Sequence, residues 1–452
     1  MTDENHIKEI KKKYKTHWLY YPLSLIARIS FHKFYQKIEH NGTENIPCDA
    51  HIIYAANHTN ALMDALSILY IDYKPKYFLG RADMFKNPII AKLLSFIKIM
   101  PIMRIRDGFN AVKKDFKQIE IASEILETKT PICIFPEGTH QSLYSLLNFT
   151  KGIFRIAIMT QKRLNEPIYI VPIDIEYGNF YRYRSTVMTN IGKAINIQEY
   201  INNHKDLSEA ELINSMRENL MNKFKDLILY IPNDEYYAAK YDCCSIVFHE
   251  QKKRNRKIIQ YSQYRKKLLD KSLNNQKTIS EIEDFIKTNP SEAKIFLNKI
   301  KKISEKRHAE HISLKSIIMK YPKFSLFIRS LILLILSPYL IAAATVTFPL
   351  TLINIYISKK IEDKTFLNSL KFGVCFLVWP IFVIIYAVIL FWIFKPLWAI
   401  IGILLLSIVN PNIRDAHKTI RLMISDVKLM KNQKLEQDIS EVKKYYLTHI
   451  IK

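Results

Sequence analysis

Histidine changes charge closest to neutral pH, so a histidine followed at short range by an acid is a first place to look for proton transfer. The stretch Asn57-His58-Thr59-Asn60-Ala61-Leu62-Met63-Asp64 supplies one. The His58 imidazole can take a proton from a hydroxyl, and the Asp64 carboxylate can hold the ring and stabilise the imidazolium that forms. A second cluster is Gly80-Arg81-Ala82-Asp83-Met84-Phe85-Lys86-Asn87-Pro88, followed by Met100-Pro101-Ile102-Met103-Arg104-Ile105-Arg106-Asp107. Arg104 and Arg106 close an apolar run, and a planar guanidinium fork suits a phosphate. In the third, Phe135-Pro136-Glu137-Gly138-Thr139-His140, Pro136 forces a turn and Gly138 lets backbone N–H groups approach an anion. Lys151 and Arg155 add positive charge on one helix face downstream. The fourth, Val171-Pro172-Ile173-Asp174, carries no chemistry of its own, and proline in a strand points to an edge or a bulge. Singly, each cluster has an ordinary reading: a capping histidine, surface arginines, a plain turn.

The elements that must position these residues alternate. Ile52–Ala56, Tyr77–Leu79, Ile99–Met103, Ile132–Phe135 and Tyr169–Ile175 read as strands. Asn60–Tyr70, Pro88–Ile97, Ala111–Glu127 and Lys151–Gln161 carry helical patterns. Such alternation predicts an α/β fold with a mostly parallel sheet flanked by helices. The polar clusters fall at the carboxyl ends of strands, where ligands of such sheets bind.

In order and spacing the four clusters resemble the motif blocks of the glycerolipid acyltransferase family, which includes glycerol-3-phosphate and 1-acylglycerol-3-phosphate acyltransferases. The resemblance covers roughly residues 40–200. Phe-Pro-Glu-Gly-Thr is the closest block, Asn-His followed by Asp the second, and Lys151-Gly152 is similar to the pair opening the helix after the third block. One departure stands out: the family leaves four residues between His and Asp, and here Thr59 to Met63 intervene. The resemblance implies that His58 and Asp64 are catalytic. His58 would deprotonate an acceptor hydroxyl that attacks an acyl thioester directly, with no covalent acyl-enzyme and no metal or other cofactor. Arg104, Arg106, Glu137, Gly138, Thr139 and Lys151 would bind the acceptor's phosphate and glycerol. The expected partners are an acyl-CoA or acyl carrier protein donor, a glycerol-phosphate lipid acceptor and a phospholipid membrane. Expected alternatives are a lysophospholipid-remodelling acyltransferase, or a non-catalytic membrane scaffold retaining the fold; a scaffold would be expected to have lost His58 or Asp64.

The rest of the chain points to a bilayer. Ser330–Ser358, Phe372–Phe394 and Pro396–Ile413 contain no charged side chain, and a spanning helix needs about 20 apolar residues. Lys395-Pro396 reads as the turn of a helical hairpin. His17–Phe31 reads as an interfacial helix with Trp18, Tyr20 and Tyr21 at the lipid boundary. The net charge of +25 calls for an anionic partner. Gln251–Lys271, dense in Lys and Arg, suits anionic headgroups. Nucleic acid would also answer the charge, but no zinc-finger, helix-turn-helix or RNA-binding signature is present and the apolar third would be unexplained. The five cysteines form no CxxC pair, which removes the usual zinc and redox motifs and fits a reducing compartment. The expected organisation is an interfacial segment at 1–39, an acyltransferase domain at 40–235 and a basic helical region at 236–322. Membrane helices follow at 323–413 and a charged helical tail at 414–452, with the acyltransferase domain on the cytoplasmic side.

Overall fold

A run of apolar residues that must bury both faces sits at the middle of the molecule's sheet. Strand β2 (His51–Ala56) is buried along its whole length, as expected of a central parallel strand covered on both sides. The computed structural model describes residues 2–102, 111–248, 267–319 and 322–451. Around β2 lie β1 (Lys37–Asn41), β3 (Tyr77–Arg81), β4 (Ile99–Ile102), β5 (Ile132–Ile134), β6 (Ile168–Tyr177), β7 (Thr186–Ile191) and β8 (Ile195–Asn196). The order is β1-β7-β6-β2-β5-β3-β4, with β8 also on β6. From β6 to β4 every pairing is parallel. The β6–β7 and β6–β8 pairings are antiparallel, so the sheet is mixed and mostly parallel.

Pro172 corrects the expectation of an edge. Its strand lies inside the sheet, between β2 on one side and β7 and β8 on the other. Ile170 pairs with β8 and Ile173 with β7, so Pro172 faces the break between those two strands. Its carbonyl accepts from Gly192 N–H at 2.9 Å, and a residue without an N–H costs little where the neighbouring ladder is already interrupted.

The helices of this half are α1 (Thr2–Lys13), α2 (Tyr20–Phe34), α3 (Leu62–Ile71), α4 (Pro88–Phe96), α5 (Ala111–Glu127), α6 (Gly152–Gln161), α7 (Ile197–Asn202) and α8 (Glu209–Leu227). Helix α2 starts three residues later than the apolar run that announced it. It buries Tyr20, Arg28, Phe31 and Phe34 and leaves Tyr21, Leu25, Ile26 and Ile29 outside, with Trp18 and Leu19 exposed just ahead of it. Side-chain caps fix some of the starts. Asn87 accepts from Ile89 and Ile90 N–H ahead of Pro88, and Ser208 with Glu211 forms a capping box.

By its contacts the chain divides into two compact units, 1–228 with 361–372, and 229–360 with 373–452. The sheet belongs to the first. The second is helical, with an apolar core that draws on Cys243, Phe285, Phe296, Ile300, Leu435, Val442 and Tyr446 among others. The regions 236–322 and 414–452, read separately in the sequence, thus share one core. Buried Arg307 donates twice to Asp242, at 2.8 and 3.0 Å, and once to the Ile312 carbonyl. Most of the basic segment Gln251–Lys271 lies outside the described residues. Two helical stretches, Pro322–Lys359 and Lys364–Ile393, are long and apolar enough to cross a membrane. The third apolar run opens a helix, Pro396–Lys431, that continues into charged residues; its apolar part, Pro396–Leu406, is short. A break at Phe394 and Lys395 separates it from the preceding helix, where the hairpin turn is expected.

Candidate active site

Strand β2 ends at Ala56, and the chain must then turn into α3. Asn57 secures the exit: its side chain accepts from Ile175 N–H at 2.7 Å and donates to Asp174 at 3.1 Å. Asn190 donates to the other oxygen of Asp174 at 3.0 Å, and burial pushes that carboxyl well up. The amide of the Asn-His pair therefore stitches β2 to β6, and His58 is the next residue out.

Asp64 lies in the first turn of α3 and is fully buried. One carboxylate oxygen accepts from three donors: His58 Nδ1 at 2.8 Å, Thr59 N–H at 2.9 Å and Asn60 N–H at 2.7 Å. The other accepts from Tyr177 O–H at 2.8 Å. A buried carboxylate is tolerable when its lone pairs are filled in this way. The five-residue interval is accommodated at Ala61, the residue before α3, with φ 47° and ψ −123°. Positive φ is unusual for a residue with a Cβ, and here it swings the chain so that helix and histidine face one another.

With Nδ1 on Asp64, His58 presents Nε2, which has no protein partner among the described residues. The ring is stacked on Phe135, centroids 4.2 Å apart at 16°. His140 lies edge-to-face with it at 5.3 Å. The imidazole is thus oriented by a carboxylate, backed by an aromatic face and partly open to a ligand.

Glu137 is buried, and its two oxygens accept from His58 N–H at 3.0 Å and Leu147 N–H at 3.3 Å. Burial pushes its carboxyl up to about 8, against the lowering effect of those two donors. The two oxygens of its carboxyl group clamp the turn after β5 to the turn after β2. Gly138 has φ +65°, and a Cβ there would come within 3.0 Å of Thr150. Among the described residues the main-chain N–H groups of the next two residues, Thr139 and His140, have no hydrogen-bond partner. Thr139 and Lys151 are exposed, Lys151 immediately before α6. Arg104 and Arg106 lie outside the described residues.

Sequence reasoning missed Tyr177. It ends the strand begun by the fourth cluster, and nothing in Ile175-Glu176-Tyr177 announces a partner for Asp64. A polar-tipped aromatic at a strand's carboxyl end was the available hint.

The amino-acid sequence matches known proteins. A sequence model of the acyltransferase family matches residues 37–176. The chain is 27% identical over 146 residues to a 1-acyl-sn-glycerol-3-phosphate acyltransferase of Chlamydomonas reinhardtii, covering 32% of this chain and 42% of that protein. It therefore spans less than half the length of that relative. Among solved structures it is similar to the 1-acyl-sn-glycerophosphate acyltransferase of Thermotoga maritima, at 22% identity and a TM-score of 0.33, over 49% of this chain and 78% of that one.

Proposed function

We propose that this chain, whose residues 37–176 form a domain of the acyltransferase family, transfers a fatty acyl group from a thioester to a hydroxyl of 1-acylglycerol 3-phosphate or glycerol 3-phosphate. The observation that carries this reading is the Tyr177–Asp64–His58 chain of hydrogen bonds, which ends on an open imidazole nitrogen. Asp64 fixes the Nδ1–H tautomer, so Nε2 holds a lone pair for the acceptor's O–H. As that proton moves to Nε2, the oxygen attacks the thioester carbonyl and Asp64 stabilises the imidazolium. Collapse of the tetrahedral intermediate breaks the C–S bond, and His58 returns its proton to the departing thiolate. The N–H groups of Thr139 and His140, beyond the positive-φ Gly138, are candidates to bind the developing oxyanion or the acceptor's phosphate. Arg104, Arg106 and Lys151 are proposed to meet the phosphate. No metal or redox group enters this scheme.

The lipid acceptor fits the rest of the chain. The windows of highest hydropathy in the two long apolar helices are only 11% and 6% buried, whereas a core helix of a soluble protein would be covered. We infer that they are embedded in a bilayer, with the sheet domain on the cytoplasmic side and the outward apolar face of α2 at the interface. The test is direct. Full-length protein in detergent is given labelled acyl-CoA or acyl carrier protein and a panel comprising glycerol 3-phosphate, 1-acylglycerol 3-phosphate and other lysophospholipids. Esterified product is expected from wild type. His58→Ala is expected to lower kcat by about 10²–10⁴-fold, the usual worth of a positioned base. Undiminished transfer by folded His58→Ala would remove the mechanism. Transfer only to lysophospholipids without a terminal phosphate would favour a remodelling role.

A further inference from the structure

Residues 361–372 lie far outside the matched segment in sequence, yet they belong to the same compact unit as the sheet. They fall between helix Pro322–Lys359 and the body of the second apolar stretch. Their anchors are specific. Asn368 is fully buried and donates to the Phe180 carbonyl just after β6. Lys371 donates to the Tyr181 carbonyl at 2.8 Å, and Phe372 packs edge-to-face on Phe34. Ser369 accepts from Leu62 N–H at 3.1 Å and lies 3.5 Å from the Asn60 carbonyl, so it touches the turn that carries His58 to Asp64. Asp363, at the segment's other end, meets His140 Nε2 at 3.3 Å. Phe366 stands edge-to-face with the same imidazole at 4.8 Å. His140 in turn stands edge-to-face with His58.

We propose that residues 361–372 are part of the acyl-transfer site, with Asp363 a positioning residue that fixes His140 beside His58 and so helps set which acceptor alcohols bind. The proposal rests on the acyl-transfer reading above. His140 stands edge-to-face with His58, which must become cationic during the reaction. Burial and the His58 ring hold His140 below the usual histidine range, while Asp363 acts in the opposite direction. A carboxylate on Nε2 keeps the proton of neutral His140 there and leaves Nδ1 as a hydrogen-bond acceptor of fixed direction. A polyol acceptor then meets two imidazoles with unlike tasks, one to remove a proton and one to receive a hydrogen bond. Asp363 is itself held in place, accepting from Thr365 N–H at 2.9 Å.

The test uses full-length protein. Asp363→Asn keeps the shape and the acceptor for Thr365 N–H but removes the charge. It is expected to raise acceptor KM roughly tenfold, the scale of one hydrogen bond to a charged group, with donor KM unchanged and part of the loss recovered in Asp363→Glu. A general loss of folding would not separate the two KM values. Equal acceptor KM in wild type and Asp363→Asn overturns the proposal. A second readout does not depend on turnover: carbethoxylation of His140 by diethyl pyrocarbonate, followed on its peptide by mass spectrometry. Asp363→Ala is expected to speed it several-fold, and an unchanged rate also overturns the proposal. Should wild type transfer acyl groups to no acceptor, or His58→Ala transfer them normally, the acyl-transfer reading fails. The His140 reactivity then still decides whether this segment covers the histidine pair.

Discussion

The most demanding residue around His58 is Ala61, which adopts positive φ where glycine would carry no Cβ penalty. Ala61→Gly is expected to raise stability by about 1 kcal/mol, since strained backbone of this kind costs about 1–3 kcal/mol, readable as a higher Tm. Removing Ala61 altogether tests the interval. The three bonds from His58, Thr59 and Asn60 to one oxygen of Asp64 depend on this turn, so the deletion is expected to abolish transfer even though it restores the family's shorter spacing. Tyr177→Phe removes the donor to the other Asp64 oxygen and is expected to cost about 1.5–3 kcal/mol of stability, measured by denaturant melts. His58 and Asp64 were legible in the sequence because a histidine at a strand end and an acid in the next helix are a chemical pattern. Tyr177 was not, because its partnership depends on β6 lying beside β2, a pairing more than a hundred residues apart that no local spacing encodes.

At the level of elements, Glu137 joins two strand ends, and its carboxyl, pushed up to about 8, has a consequence for pH. A carboxyl whose folded pKa exceeds its unfolded value stabilises the fold fully below the unfolded pKa, near 4.5, and loses that contribution as pH rises through about 8. Glu137→Gln cannot ionise. The Tm of wild type minus that of Glu137→Gln is therefore expected to fall between those pH values; a flat difference would show that the carboxyl titrates normally. The α/β alternation of the first half was readable from apolar runs broken by helical patterns. Strands β1, β7 and β8 were not, since Lys37–Asn41 and Thr186–Ile191 are polar or mixed and gain their order only from the sheet. In the helical unit, the buried pair of Arg307 and Asp242 gave no sequence signal, being 65 residues apart. Arg307→Ala is expected to cost about 3–5 kcal/mol, because it leaves a buried carboxylate unpaired.

For the whole molecule, the long apolar helices lead to an extraction experiment. The protein is expected to stay with membranes through high-salt and alkaline carbonate washes, because burial in hydrocarbon does not depend on screened charge; release by carbonate would argue for surface attachment. Composition made this end of the chain legible, since absence of charge over a long run needs no partner to be recognised. The boundary of the sheet unit was hidden, because its last dozen residues arrive after a long helical excursion. That late arrival bears on biosynthesis. A ribosome that has completed residue 228 has not yet made the strap at 361–372. At roughly 5–20 residues per second, the intervening stretch takes on the order of ten seconds to make. During that interval the nascent sheet lacks Asn368 and Phe372, and the first long apolar helix emerges before they do. The sheet unit is thereby completed only after that helix has been made, so a chain stopped before residue 361 would carry an unfinished sheet unit.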